Sequence, residues 1–387
     1  MIQNRVVLAM SGGVDSSVSA WLLKREGYEV IGLFMRTGVH SGQDDHRADH
    51  KKGCCSAIDA GDARKIADKL DIPFYALDFE EDFNQIIDYF ADEYLRGRTP
   101  NPCVVCNNWL KFGKLWDFAQ SLDANYIATG HYAQVLPSKP KADPLQTSSI
   151  ENNSGEINKA TIDASEQFEL HRGVDPEKDQ SYVLHGIRRE ILPHLLFPVG
   201  RFTKEQIRQI ARDAGLAVAN KPDSVEICFV PDGDHARLIR ERRPNLQTAG
   251  QVVDTNGQFL GDHDGYERFT IGQRKGLKIA GEKKRYVLEI LPETKTVVLG
   301  DSDGLKSAGL LAKEVNWLID PPDGNGFPCL AKIRYRHQAV LAHICSMENG
   351  LTEVKFVDPQ NAITPGQAVV FYNQSRVLGG GWIEKAI

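Results

Sequence analysis

The sequence predicts an α/β fold: a domain built on a parallel sheet, then a small α+β domain and a C-terminal antiparallel β-barrel. Three observations support this. Short apolar runs alternate with helical patterns through the first third of the chain, which is typical of parallel sheets covered by helices. A glycine-rich turn, SGGVDSS, separates the first apolar run from the first helical pattern. From residue 286 onward, short β-type runs are separated by turn residues, as in small barrels.

The parallel sheet is predicted from four apolar runs rich in β-branched or aromatic residues. They alternate with segments in which apolar residues recur at helical spacing. The predicted strands are residues 5–10, 28–36, 72–79 and 125–135, and the predicted helices are residues 17–27, 56–71, 83–97 and 110–122. Because a helical crossover brings the chain back to the end of the sheet where the previous strand began, we expect neighbouring strands to be parallel.

The predicted domain boundaries follow changes in the composition and the secondary-structure pattern of the sequence. Residues 1–200 form the parallel-sheet domain, residues 201–285 a central domain that opens with a helix, and residues 286–387 the barrel. Residues 138–167 are mostly polar and contain no aromatic residue, so we predict a disordered insertion there.

The composition limits the classes of protein. A length of 387 residues suits two or three domains. Neither a secretory signal nor a membrane-spanning apolar run is recognisable, so we expect a cytosolic protein, with an organelle matrix as the alternative. Seven cysteines in such a chain argue against a disulfide framework.

The charge distribution bears on nucleic-acid binding. The net charge of −6 argues mildly against a nucleic-acid partner. Residues 268–285, however, carry seven basic side chains against the single acidic Glu282, and a second basic cluster contains Arg237, Arg240, Arg242 and Arg243. Such cationic stripes suit a phosphate backbone, although a solvated helix edge has the same appearance.

The turn Ser11–Ser17 is the strongest local signal. Gly12 and Gly13 let the backbone approach an anion closely, serine hydroxyls add donors, and the helix that follows presents backbone N–H groups. Asp15 could hold a magnesium ion on the phosphates. The loop has neither the G-K-[ST] of a Walker loop nor the G-x-G-x-x-G of a dinucleotide site. It predicts a phosphate site, and a plain glycine turn is the alternative.

A cysteine pair in GRTPNPCVVCNNWLKF is the second signal. Cys103 and Cys106 have C-x-x-C spacing and precede a predicted helix. A helix N-terminus and a cation such as Lys111 stabilise a nearby thiolate, so this pattern predicts reactive thiols.

The remaining cysteines differ in their surroundings. Cys228 lies in a short apolar run after Asp223 and Ser224, within KPDSVEICFVPDGD. The others are interpreted as small buried apolar residues, and they are Cys54, Cys55, Cys329 and Cys345.

Taken together, the motifs resemble those of the tRNA-specific 2-thiouridylase family. These motifs are SGGVDSS, GRTPNPxxxCN, KDQSYVL, DSxxICF, HxGYERFTIGQRKGL, RYRH and TPGQAVVFY. They cover nearly the whole chain outside residues 138–167. The glycine loop itself resembles the PP-loop of ATP-pyrophosphatases, a superfamily with an adenine nucleotide alpha hydrolase-like fold.

The resemblance implies a reaction in two stages. ATP, with Mg²⁺, adenylates the 2-oxygen of the wobble uridine, and sulfur then replaces that oxygen. Cys228 receives the sulfur as a persulfide from an upstream donor, and Cys106 is the partner nucleophile that forms a disulfide with Cys228 as the sulfur leaves. A persulfide is more acidic than a thiol, and exchange between two nearby sulfurs releases the terminal one.

The resemblance also assigns binding residues. Those implied at ATP are Ala9, Met10, Ser11, Gly12, Gly13, Val14, Asp15, Ser16, Met35 and Gly130. Those implied at tRNA or its target base are Asn101, Pro102, Cys103, His131, Lys178, Asp179, Gln180, Arg334, Tyr335 and Gln367.

One position departs from the family pattern. Many members carry Asp where this chain has Cys103, which puts the general acid/base role of that position in doubt. With Cys106 and Cys228, Cys103 makes three thiolates that could hold a [4Fe–4S] cluster, as in some related thiolases. The persulfide and cluster schemes both stay open here. A different adenylating PP-loop enzyme and a non-catalytic RNA-binding protein are more remote alternatives.

Overall fold

The computed structural model describes residues 4–38, 57–138, 167–223, 227–277, 279, 284–322 and 325–387. The strands are β1 (Arg5–Ala9), β2 (Glu29–Arg36), β3 (Phe74–Asp78), β4 (Tyr126–Ala128), β5 (Ala133–Pro137), β6 (Phe168–Arg172), β7 (Leu195–Leu196), β8 (Gly250–Asp254), β9 (Phe259–His263), β10 (Tyr286–Leu291), β11 (Thr296–Gly300), β12 (Lys306–Trp317), β13 (Phe327–Lys332), β14 (Val340–Ser346), β15 (Thr352–Asn361), β16 (Ala368–Asn373) and β17 (Arg376–Ala386). The α-helices are α1 (Val14–Arg25), α2 (Ala57–Leu70), α3 (Glu80–Leu95), α4 (Pro102–Cys106), α5 (Leu115–Ser121), α6 (Lys204–Asp213) and α7 (His235–Arg242), and a π-helix covers Asn107–Lys114.

The first sheet confirms the predicted parallel α/β domain. Its strand order is β3-β2-β1-β4-β7, and every neighbouring pair is parallel. Side chains of β1 alternate between its two faces, as the pleat requires. Val6 and Leu8 belong to the core shared with α1 and α2, whereas Val7 belongs to the core shared with α3 and α5. The carboxyl end of β1 therefore emerges between two helical layers, at the glycine loop.

The middle domain contains a four-stranded sheet of order β10-β11-β8-β9. The sequence pattern assigns residues 286–301 to the barrel, but the structure pairs β11 in parallel with β8, Val297 opposite Val252. Val252, Val287, Val297 and Leu299 are fully buried in one small core. This hairpin is separated in sequence from β8 and β9, so local periodicity does not show which sheet it joins.

The C-terminal domain confirms the predicted antiparallel barrel. Six strands in the order β12-β15-β14-β13-β16-β17 close through pairing of β12 with β17. Its core includes Leu310, Ile344, Val354 and Phe371. Strand β17 also pairs with β6, and β6 pairs with β5, so a ladder of backbone hydrogen bonds joins the barrel to the first domain.

Helix α6 confirms a helix that the sequence predicts at residues 201–216. Thr203 and Gln206 form a capping box at its start. Its residues Ile207 and Ala211 pack in the same core as α1, so the helix is attached to the parallel-sheet domain.

Some predictions fall on residues that the structure does not describe. Residues 139–166 of the predicted insertion, and both Cys54 and Cys55, lie outside the described ranges. Within the described ranges, no helix has both the length and the apolar character needed to cross a membrane.

Candidate active site

The glycine loop joins β1 to α1 and is held by its own hydroxyl groups. Ser16 Oγ and Ser17 Oγ donate to the carbonyl oxygen of Gly13 at 3.2 and 2.8 Å, and Ser16 Oγ accepts from the N–H of Ser11 at 3.2 Å. Gly12 has φ of +69°, and a Cβ there would lie 2.2 Å from the carbonyl oxygen of Asp59. Only glycine fits at position 12, and the loop leads directly into the N-terminus of α1, where backbone N–H groups favour an anion.

Gly130 follows the fourth parallel strand and touches the start of α1. A Cβ at Gly130 would lie 2.8 Å from the backbone nitrogen of Ser16. Two glycines from different elements thus converge on the first turn of one helix. Met35 is partly buried at the end of β2, whereas Met10 is almost fully buried. The carboxyl ends of β1, β2 and β4 therefore surround the predicted ATP site.

Asp15, the predicted magnesium ligand, contacts protein donors in this structure. Lys204 Nζ lies 2.8 Å from both carboxylate oxygens, and the Tyr132 hydroxyl donates to Oδ1 at 2.7 Å. Burial, followed by the charge of Asp15, raises the pKa of Tyr132, so its hydroxyl remains a donor. A metal ion at Asp15 would have to displace Lys204.

A second lysine, Lys221, contacts the glycine loop at Gly12. Lys221 Nζ donates to the carbonyl oxygen of Gly12 at 2.9 Å and pairs with Asp59 and Asp62 at 2.7 and 2.8 Å. Burial alone would lower the pKa of Lys221, but the hydrogen bonds to the two carboxylates raise it. The sequence pattern singled out neither Lys204 nor Lys221, because their partners are distant along the chain.

Asp223 connects the glycine loop to the Cys228 segment. Its carboxylate pairs with Lys204 at 2.8 Å, Lys178 at 2.9 Å and Arg208 at 3.0 Å. Burial would raise the pKa of Asp223, but these cations lower it, so the carboxylate is ionised at neutral pH. Lys204 thus contacts both Asp15 of the loop and Asp223.

The first cysteine segment begins a helix earlier than the sequence suggests. Asn101 caps α4 by accepting the N–H of Val104 at 3.4 Å, and Pro102 is the first helical residue. Cys103 is exposed in the first turn, whereas Cys106 is the last residue of α4 and continues into the π-helix. The prediction that both cysteines precede the helix is therefore wrong, and the dipole argument applies to Cys103 alone.

The π-helix after Cys106 is fixed by contacts with the segment that contains Val183 and Gly186. Asn107 Nδ2 donates to the carbonyl oxygen of Val183 at 2.9 Å, and Asn108 packs so closely on Gly186 that a Cβ there would lie 2.0 Å from Asn108 Nδ2. The side-chain oxygens of both asparagines are buried without a hydrogen-bond partner among the described residues. A π-helix is a strained conformation often found at functional sites.

The barrel holds the segment that precedes α4. Gln367 Nε2 donates to the carbonyl oxygens of Thr99 and Pro100 at 3.1 and 3.0 Å. Thr99 N–H donates to the carbonyl oxygen of Pro365 at 2.9 Å, and Arg98 pairs with Glu384 at 3.0 Å. Gln367 therefore positions the cysteine segment, and its contact with tRNA stays a prediction.

His131 is buried close to the site. Its Nδ1 lies 2.6 Å from Thr129 Oγ1, and only 7% of the residue is exposed. Burial, assisted by the positive charge of Lys111, lowers the pKa of His131 well below its usual value. The imidazole is neutral at physiological pH, and its predicted contact with tRNA stays a prediction.

The three residues Lys178–Gln180 have different surroundings. Asp179 is buried and accepts from the N–H of Gly173 and from both the N–H and the hydroxyl of Ser181. Gln180 Oε1 accepts the N–H of Tyr132 at 2.9 Å. Asp179 and Gln180 thus stabilise the turn, and only Lys178 has its charged group at the surface.

Arg334 and Tyr335 lie on the barrel, facing the first domain. Arg334 donates to the carbonyl oxygen of Asn361 at 3.0 Å, and the Tyr335 ring contacts the Tyr182 ring at a centroid distance of 6.2 Å. Burial and then Asp179 raise the pKa of Tyr335, and Cys103 adds to the effect, which places Cys103 near this ring. The structure brings the cysteine segment and the RYRH motif together.

Cys106 and Cys228 pack against the same core. Both are half-buried thiols that contact the hydrophobic cluster around α3. Next to Cys228, the ring of Phe229 lies 5.7 and 5.1 Å from those of Phe83 and Phe90. Within the described ranges, no three His, Cys, Asp or Glu side chains are grouped as metal ligands would be.

Two structural predictions concern side chains away from the site. Cys329 is buried, and burial raises its pKa to about 12, as expected of an inert thiol.

The arginine cluster is largely paired with carboxylates, which weakens its assignment to tRNA: Arg243 contacts Asp88 and Asp92, Arg240 contacts Glu267, and Arg237 contacts Asp232 and Glu241. This cluster attaches α7 to α3 and to the middle domain.

The fold and the loop define a HUP-domain protein with a glycine-rich loop after its first strand. Residues 4–232 match the family model described as tRNA methyl transferase HUP domain. Residues 239–301 match the tRNA methyl transferase PRC-barrel domain, and residues 307–383 match the aminomethyltransferase beta-barrel domain. These matches cover all three parts of the chain.

The particular family follows from curated relatives. The chain is 45% identical to tRNA-specific 2-thiouridylase MnmA of Rhodopirellula baltica, over 99% of this chain and 97% of the relative. It is also 45% identical to the proteins of that name from Geotalea uraniireducens and Clostridium perfringens, over 100% of this chain and 96% and 100% of those relatives. The chain belongs to the tRNA-specific 2-thiouridylase family, a family of tRNA-modifying transferases.

Proposed function

We propose that this protein is an ATP-dependent sulfurtransferase that converts the wobble uridine of tRNA to 2-thiouridine. The observation that carries the proposal is the physical connection between its parts. Lys204 joins the glycine loop at Asp15 to Asp223, which precedes the Cys228 segment. Full-length similarity to proteins named tRNA-specific 2-thiouridylase supports the choice of substrate. Because the substrate is tRNA, we expect the reaction to take place in the cytoplasm.

ATP fits the glycine loop. Gly12 and Gly130 allow close approach to the first turn of α1, which supplies N–H groups for phosphate oxygens. ATP makes the uracil 2-oxygen a leaving group by transferring AMP to it and releasing pyrophosphate. Mg²⁺ would accompany the ATP phosphates, and we assign it no protein ligand because Asp15 contacts Lys204 and Tyr132.

Sulfur transfer uses Cys228 and Cys106. An upstream donor loads Cys228 with a terminal sulfur, giving a persulfide. The Cys106 thiolate attacks the inner sulfur, a Cys106–Cys228 disulfide forms, and hydrosulfide leaves. Hydrosulfide adds to C2 of the adenylated uridine and AMP departs with the former 2-oxygen. A dithiol reductant then restores both thiols. Cys106 and Cys228 both pack against the hydrophobic core that includes α3.

The [4Fe–4S] alternative needs Cys103, Cys106 and Cys228 to converge on one cluster. The described residues do not group three such ligands, so they do not fit a cluster without rearrangement. Cys103, exposed in the first turn of α4 near Tyr335, instead suits a position beside the target base.

The decisive experiment compares three serine variants. We expect Cys106→Ser and Cys228→Ser to lose thiolation, measured by mass spectrometry of tRNA nucleosides, while retaining ATP–pyrophosphate exchange with tRNA present. Cys103→Ser is the matched control, and it should retain measurable thiolation. Loss of activity in Cys103→Ser, together with iron that follows activity during anaerobic purification, would favour the cluster scheme.

A further inference from the structure

Two cations without an ionic partner lie where the first domain meets the barrel. Arg172 is the last residue of β6, and Lys332 is the last residue of β13. Neither forms an ion pair with any residue that the structure describes. Arg172 Nε and Nη2 are buried and have no hydrogen-bond partner in the same ranges. A buried donor without an acceptor is costly, so this arrangement calls for a ligand.

Aromatic rings hold both cations in place. The guanidinium carbon of Arg172 lies 4.1 Å from the centroid of the Tyr372 ring. Lys332 Nζ lies 5.7 Å from the centroid of Tyr182 and 5.6 Å from that of Tyr335. Cation–π contacts orient the cationic groups without neutralising their charge.

The nearby carboxylate does not neutralise them. Asp179 lies more than an ion-pair distance from both cations, and its oxygens accept hydrogen bonds from Gly173 and Ser181. Burial lowers the pKa of Lys332, and the positive charge of Arg172 adds to this, while Asp179 opposes it. The two cations are therefore close enough to repel each other, and an anion between them would relieve that repulsion.

The location indicates which anion. Tyr335, beside Lys332, is near Cys103, and Tyr182 is near Asn101. Asn101 and Cys103 belong to the segment that we assign to the target base. The glycine loop, by contrast, is at the N-terminus of α1. An anion at Arg172 and Lys332 would therefore be next to the target nucleotide.

We propose that Arg172 and Lys332 form a binding site for a backbone phosphate of the tRNA, adjacent to the target uridine. This inference rests on the proposed function. A phosphate would accept charge-assisted hydrogen bonds from the guanidinium donors and from the ammonium group. Such a contact would set the register of the anticodon loop without reading its bases.

The test measures tRNA binding by Lys332→Met as a function of salt, beside thermal melting. We expect affinity to fall roughly fivefold at about 0.15 M salt, and the slope of log K against log salt to become shallower by about 0.7 to 1. Methionine retains the apolar stem against the two tyrosine rings and removes an uncompensated charge, so the melting temperature should be unchanged or higher. Arg172→Gln should shift the slope in the same direction, and Lys332→Arg should retain the wild-type slope.

The control is Lys355→Met, on the same barrel, where the exposed lysine pairs with Glu353 at 2.9 Å. It should leave affinity and slope unchanged. Wild-type affinity and slope in Lys332→Met would overturn the phosphate site, as would a binding loss that accompanies a lower melting temperature. Weaker ATP binding with normal tRNA binding would also overturn it, because the anion would then be an ATP phosphate. Failure of the proposed function would be distinct, since the wild-type protein itself would not thiolate tRNA.

Discussion

At the scale of single residues, the site depends on positions where a side chain does not fit. Gly12 is required by its positive φ and by the carbonyl group of Asp59, and Gly130 by the backbone of Ser16. The sequence predicts glycines at a phosphate loop, but it does not show that Gly130 touches the same helix turn. The contact arises because β1 and β4 are adjacent in the sheet. A methyl group at Gly130 would push β4 away from α1.

We therefore expect Gly130→Ala to lower ATP–pyrophosphate exchange by at least about tenfold, because the shifted helix turn no longer receives the phosphates in register. The matched control is Gly61→Ala in α2, where an added Cβ meets nothing within 4 Å. That control should retain activity and raise the free energy of unfolding by about 0.5 to 1 kcal/mol, since alanine is the better helix former. Normal exchange in Gly130→Ala would show that β4 does not define the ATP site.

At the scale of elements, the helix that carries the cysteines is positioned from the barrel. The barrel contacts residues 97–102 through three of its residues. Gln367 and Pro365 bond the backbone of this segment, and Glu384 pairs with Arg98. The barrel thus positions the predicted cysteine site, and it is also a candidate tRNA surface. Removing one of these barrel contacts should make the start of α4 more mobile and leave the glycine loop intact.

For Gln367→Ala, we expect thiolation to fall about tenfold while tRNA-independent ATP binding is retained, because two carbonyl oxygens lose their donor and Cys103 loses its fixed position. Hydrogen exchange would show faster exchange of the Thr99 amide. Gln338→Ala, at an exposed barrel position, is the control. Reduced thiolation with unchanged Thr99 protection would assign Gln367 to tRNA contact alone.

At the scale of the whole molecule, three domains are joined by specific contacts. Strand β6 pairs with β17 of the barrel, Arg243 at the end of α7 pairs with two carboxylates of α3, and the Tyr266 hydroxyl donates to the carbonyl oxygen of Leu95. His185 lies in one of these seams, where its ring meets Trp382 and the backbone of Gly380. Burial lowers the pKa of His185 to about 4.

This buried histidine makes stability depend on pH. The folded state keeps His185 neutral down to about pH 4, whereas the unfolded chain binds a proton below about pH 6.5. The unfolded state is therefore favoured as pH falls between these values, by at most about 1.4 kcal/mol per pH unit for this group. Urea unfolding at pH 7.5, 6.0 and 5.0 should show the decrease, and His185→Gln should reduce it. His343→Gln, at an exposed position, is the control; an identical pH dependence in His185→Gln would exclude this histidine as the cause.

The sequence by itself determined the local features of this protein. Alternating apolar runs and helical spacing specify the parallel sheet and the barrel, because those periods follow from backbone geometry. The loop Ser11–Ser17 and the cysteines at 103, 106 and 228 were recognisable because each motif is contiguous or nearly so. The family was recognisable for the same reason.

Only the tertiary structure decided the contacts between distant segments. Lys204 reaches Asp15 across 189 residues, and Lys221 reaches Gly12 across 209. The hairpin at 286–300 joins the middle sheet, and Arg172 comes near enough to Lys332 to lower its pKa. Periodicity and motif spacing describe a residue's neighbours along the chain. They carry no information about which charged side chains folding brings together, since that depends on how sheets and helices pack.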